Sequence, residues 1–163
     1  MTIAERPRPA RQIGSRTGGR SARRSPAQII SLVIGFWWTI NGIGALFIDS
    51  NLATDRVHGA GDAFGLVTIT VNGWHAVFHL LSGLLGLAVA SRPRAALAYV
   101  LGVGSVYIVA GTWGLLAGGS SIGVIAVDSP GDVVHISEGV IALTAGVLTL
   151  RPRRAVAEGI QAS

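Results

Sequence analysis

Apolar residues gather in four runs, roughly Ile29–Ile48, Gly73–Ala90, Ala95–Gly118 and Val133–Leu150, with polar or glycine-rich segments between them. Each run has about the 17–25 residues that a helix needs to cross a bilayer. The pattern predicts an all-α fold, a four-helix transmembrane bundle over residues 28–150. Residues 1–27 are rich in Arg, Pro, Ser and Gly without apolar periodicity, and such a segment is expected to stay disordered. Residues 151–163 form a second basic tail. The first apolar run exceeds the h-region of a signal peptide and no A-x-A site follows it, so it is expected to remain as a helix. Phe64–Val71 reads as an apolar, β-branched segment resting at the membrane interface, and His58 as a solvated residue of the same long loop.

Charge gives the bundle a direction. Twelve of the thirteen arginines lie in the two tails or in the turn Ser91–Arg94, whereas all five aspartates and Arg56 lie in the other two loops. Basic residues beside spans mark the cytoplasm, which predicts a multi-pass protein of the bacterial plasma membrane with both termini inside. The absence of lysine suits a GC-rich bacterial genome. The net charge of +5 and pI near 11.3 do not argue for nucleic acid, because the basic residues sit at helix ends and in the tails. The expected partner is the lipid bilayer, and a homo-oligomer or membrane-complex partner is compatible with it. With no cysteine there is neither a disulfide framework nor a thiolate metal site.

The chain reads as duplicated. With His79 set on His135, Gly83 meets Gly139, Leu85 meets Ile141 and Leu87 meets Leu143, and each segment closes on Arg-Pro-Arg. With Gly44 set on Gly114, Trp37 meets Tyr107. Both halves start on the same side, so the expected arrangement is two helical hairpins in a parallel repeat. Small residues let membrane helices approach closely. Gly83, Gly86, Gly114, Gly139 and Gly146 are the expected packing positions, within the pairs Ser82/Gly86, Ala110/Gly114 and Ala142/Gly146. Trp74, Trp113 and Tyr99 are candidate interfacial anchors, whereas Trp37 and Trp38 sit mid-span and are read as packing residues.

Ionisable side chains inside spans are costly and turn towards the bundle interior or a water-filled cavity. His75 and His79 are four apart on one helical face, and His135 and Glu138 form a second stripe on the fourth run. Counting down from Asn72 and Asp132 places both stripes in the outer half of the bilayer, with Asn41 a further polar candidate. Asn72 and Asp132 are the expected N-caps of the second and fourth helices. Three readings fit the four residues. In the first, the histidines and Glu138 hydrogen-bond across helices and fix packing. In the second, they hold a metal as a three-His, one-carboxylate set, or His79 and His135 bind haem axially. In the third, they line a proton or small-solute path. There is no Gly-x-Ser-x-Gly, phosphate loop or paired catalytic carboxylate motif, so the chain is read as non-enzymatic and without an obligatory cofactor.

The stretches FGLVTITVNGWHAVFHLLSGLLGLAVA (64–90) and PGDVVHISEGVIALTAGV (130–147) resemble an uncharacterised bacterial family of four-helix membrane proteins, known only as a domain of unknown function. Asn72, His75, His79 and Gly83 match its second-helix pattern, and Asp132, His135 and Gly139 match its fourth. Asp132 stands one residue closer to its histidine than in that pattern, and Glu138 occupies a position that is apolar there. The resemblance covers roughly residues 29–150 and implies an architecture without implying an activity. The sequence favours a structural or accessory membrane protein, with a His-ligated haem or metal protein and a small transporter as its alternatives.

Overall fold

The structure is a computed structural model, and it describes residues 23–54, 69–118 and 121–151. Most of the tails (residues 1–22 and 152–163), His58 and most of the Phe64–Val71 segment lie outside the described residues. Among the described residues there are four helices: α1 (Pro26–Ile48), α2 (Gly73–Val89), α3 (Pro93–Ala117) and α4 (Ser129–Leu150). Strands β1 (Ser121–Ile122) and β2 (Ile125–Ala126) pair antiparallel between α3 and α4.

Local chemistry sets the helix ends. Ser25 and Gln28 form a reciprocal capping box at the start of α1, satisfying donors that the first turn cannot satisfy itself. Asn72 caps α2, its side chain accepting from the His75 N–H at 3.0 Å. α3 stops at Gly118, whose φ of 59° suits a residue without a Cβ. The cap of α4 is Asp128, which accepts from the Gly131 N–H at 2.8 Å. Asp132 is therefore not an N-cap, because α4 begins four residues before the apolar run does. Pro130, which suggests a loop, sits in the first turn, where a missing N–H costs nothing.

Three of the helices, α1, α3 and α4, are long and apolar enough to cross a membrane, each with a mean hydropathy of 1.7 over its window. α2 is shorter, at 17 residues. The outward faces are apolar: Phe36, Phe47, Leu81, Val109, Trp113 and Leu116 are each more than 60% exposed. Bare hydrocarbon on every side is what a helix bundle shows when its solvent is lipid.

The helices pack as two hairpins, α1 on α2 and α3 on α4, through glycines. A Cβ on Gly83 would lie 2.7 Å from the Gly35 carbonyl oxygen, and one on Gly139 would lie 2.7 Å from that of Gly104. A Cβ on Gly42 would meet the Ala76 carbonyl and the Leu80 nitrogen, and one on Gly111 would meet those of Asp132 and Ile136. These contacts are equivalent in the two hairpins, and they fix the repeat residue by residue. His79 matches His135, as the sequence alignment has it. For α1 and α3, Gly35 matches Gly104, Trp38 matches Tyr107 and Gly42 matches Gly111. The alignment of Gly44 with Gly114 is thus one residue out, and Trp38 rather than Trp37 is the counterpart of Tyr107. Gly44 has no side-chain space to guard, so its identity with Gly114 carries no packing meaning.

Among the other expected packing positions, Gly86 lies under the Tyr99 ring, Gly114 under the Asp132 carboxylate and Gly146 under Leu101. Tyr99 is buried and donates its hydroxyl to the Ser82 carbonyl at 2.9 Å, so it is a core residue rather than an interfacial anchor. Trp113 is 63% exposed. Trp74 donates to the Leu52 carbonyl at 2.9 Å.

Candidate metal centre

Three imidazoles converge where the two hairpins meet. His75 Nε2 stands 3.1 Å from His79 Nε2, and His79 Nε2 stands 3.4 Å from His135 Nε2. One ring nitrogen from each residue lies within 4.8 Å of those of the other two. His75 and His79 come from successive turns of α2, and His135 comes from α4. His79 and His135 are repeat counterparts, so they meet across the pseudo-twofold axis. The counterpart of His75 is Gly131.

Buried aromatic rings floor the cluster. Trp38 and Tyr107 stack at 4.1 Å, and Tyr107 presents its ring edge-on to His135 at 5.2 Å and to His79 at 5.9 Å. Trp38 makes a similar edge contact with His79 at 6.2 Å. The β1–β2 hairpin covers the cluster at the end of the bundle opposite the arginines. Asn72 Nδ2 donates to the Val124 carbonyl at 2.8 Å, and His75 Nδ1 lies 2.8 Å from the Ala126 carbonyl. A carbonyl only accepts, so Nδ1 of His75 carries the proton and its Nε2 presents a lone pair to the cluster. Asn72 thus caps α2 with its oxygen and holds the hairpin with its nitrogen.

The proton count in the cluster is short. His79 Nε2 faces two other Nε2 atoms and has at most one proton to offer them. His79 Nδ1 is buried without a partner, so neither tautomer of that ring satisfies both nitrogens. A cation at the centre would relieve the clash of lone pairs, because all three Nε2 atoms can point at it, and it would place the His79 proton on Nδ1.

Glu138 is not part of this set. Its carboxylate accepts from Trp37 Nε1 at 2.8 Å and from Trp38 Nε1 at 3.0 Å. Position 138 lies about 60° around the helix from position 135, which turns Glu138 towards α1. The expected three-His, one-carboxylate set therefore reduces to His75, His79 and His135, and the expected hydrogen bond from a histidine to Glu138 is absent among the described residues. Asn41 bonds back to the Trp37 carbonyl of its own helix at 2.8 Å. Asp132 is 1% exposed, and its Oδ1 has no hydrogen-bond partner. The sequence offered no sign of the tryptophan pair around Glu138 or of the hairpin carbonyl on His75, because both arise from tertiary contacts.

No curated protein and no solved structure matches the chain. The family described as Domain of unknown function (DUF4383) matches residues 28–148, which include α2, α3, nearly all of α1 and α4, and the three histidines. The chain belongs to that family.

Proposed function

We propose that this is a multi-pass protein of the bacterial plasma membrane, with both termini cytoplasmic, that holds one transition-metal ion on His75, His79 and His135 near the outer face. The observation that carries the reading is the pair of Nε2 separations, 3.1 and 3.4 Å. Nitrogens bound to one tetrahedral zinc ion at 2.0–2.1 Å stand about 3.3 Å from each other. The ring nitrogens of all three lie within 4.8 Å of one another, and the His75 and His135 rings would have to turn towards each other to bring the third pair to that spacing. Imidazole suits zinc, copper, iron and nickel, and three neutral ligands leave one coordination position for water or a substrate atom.

The surroundings support a bare ion rather than haem. Trp38 and Tyr107 fill the space beneath the rings, and α3 touches α4 backbone to backbone at Gly104 and Gly139. A porphyrin has no slot between them. The His75–Ala126 hydrogen bond supplies the outer-shell contact that commonly orients a metal-ligating imidazole. The segregation of arginine from aspartate supports the orientation, which would open the β1–β2 hairpin to the periplasm.

The test is metal content. Protein stripped with a chelator in detergent, then dialysed against zinc or copper, is expected to hold about one ion per chain. His79→Ala is expected to lose it, and His58→Ala is expected to keep it. Equal metal in wild type and His79→Ala would overturn the proposal and leave the cluster as a packing device.

A further inference from the structure

At the opposite end of the bundle, a groove of about 500 Å³ is lined by Arg23, Arg24, Ser25, Gln28, Ser91 and Pro93. Its floor is fixed. The Gln28 amide donates to the Ala90 and Ser91 carbonyls at 3.1 and 3.3 Å, and its oxygen accepts from the Ser25 N–H at 3.1 Å. The start of α1 is thereby tied to the α2–α3 turn, and Ala27 N–H is tied to Thr149 of α4 at 2.9 Å. Arg23 and Arg24 are exposed on one side of this rigid floor. The opposite side is the start of α3 at Pro93, preceded by Ser91 of the α2–α3 turn.

We infer that this groove binds the phosphate of an anionic phospholipid headgroup. The guanidiniums of Arg23 and Arg24 match a phosphodiester in charge and in hydrogen-bond geometry, and the occupant is already at hand, because the groove lies at the end of apolar helices where lipid headgroups gather. Basic pockets between membrane helices take anionic headgroups in this way. The volume accommodates a phosphoglycerol group. The inference is independent of the metal reading, since the groove and the histidines occupy opposite ends of the bundle.

The experiment is native mass spectrometry of the full chain released from detergent, titrated with phosphatidylglycerol, with phosphatidylcholine of the same acyl chains, or with inorganic phosphate. Wild type is expected to retain phosphatidylglycerol in preference to phosphatidylcholine. Two arginines near an anionic surface together account for roughly thirtyfold in binding, so Arg23→Gln/Arg24→Gln is expected to lose the preference by about that factor. Arg16→Gln/Arg20→Gln, in the tail, is expected to keep most of it. Equal retention of the two lipids by wild type, or an equal loss in both double variants, would overturn the inference. Displacement of the lipid by millimolar inorganic phosphate would also overturn it, by showing a free-anion site. Unchanged helix content in the double variants separates lost binding from misfolding.

Discussion

Trp38 and Tyr107 stack 4.1 Å apart with 13° between their ring planes, although they are counterparts on different hairpins. The pair is the aromatic keystone of the bundle, since both rings are almost wholly buried and both reach the histidines. Removing a buried aromatic side chain costs about 3–5 kcal/mol. Trp38→Ala is therefore expected to lower unfolding stability by that order, as measured by denaturant titration in micelles. Tyr107→Phe is expected to be neutral or slightly stabilising, because the Tyr107 hydroxyl is buried without a partner and deleting such a group relieves a desolvation cost. A loss above about 2 kcal/mol in Tyr107→Phe would show that the hydroxyl is bonded after all.

Glycine substitutions separate packing positions from bystanders. Gly139→Ala places a Cβ 2.7 Å from the Gly104 carbonyl oxygen, so α3 and α4 must part. Overpacking of this kind costs about 1–3 kcal/mol or more. Gly44→Ala and Gly102→Ala meet nothing within 4 Å and are expected to leave the melting temperature unchanged or raise it slightly, alanine being the better helix former.

Asn72→Asp distinguishes capping from covering. Aspartate keeps the oxygen that caps α2 but cannot donate to the Val124 carbonyl. Helix content should persist while the β1–β2 hairpin loosens, giving faster amide hydrogen exchange at residues 121–126. The loss of an outer-shell support of this kind weakens a metal site by about 10–100-fold. Metal affinity equal to wild type would separate the hairpin from the metal site.

Asp132 occupies the position that Ala76 occupies in the first hairpin. Ala76 packs on Gly42 as Asp132 packs on Gly111. Asp132→Ala therefore fits the slot and removes a carboxylate with an unpartnered oxygen. Such a group costs about 1–3 kcal/mol when buried, so the variant is expected to be more stable than wild type in thermal unfolding.

Glu138→Gln tests the carboxylate's separation from the proposed metal centre. Trp37 and Trp38 each donate to a different oxygen of Glu138, and glutamine offers only one. A loss of about 1–3 kcal/mol in stability is expected, with metal stoichiometry unchanged at one per chain. Loss of the ion in this variant, with the fold intact, would return Glu138 to the ligand set.

The four helices are legible in the sequence because each is an almost unbroken apolar run bounded by charge or proline, and the histidine pairing is legible because the duplication aligns His79 with His135. What is not legible turns on single-residue rotations and on tertiary partners. One residue of slip turns a helix by about 100°, enough to exchange Trp37 for Trp38 as the counterpart of Tyr107. The start of α4 is hidden because Asp128, Pro130 and Gly131 look like loop residues in isolation, and only the cap geometry makes them a first turn. Glu138 misleads because it shares a stripe with His135, and the sequence gives no sign that two indole N–H groups would be waiting on α1.

Gly131 stands where the twofold relation would place a companion to His75. Two copies of the α1–α2 hairpin arranged in the same way would bring four imidazoles to one point and enclose an ion completely. The second hairpin withholds the fourth nitrogen, so a metal held here as proposed would keep one coordination position open. If the proposed ion is held there, that asymmetry would make the difference between a staple joining two halves and a centre able to accept a guest.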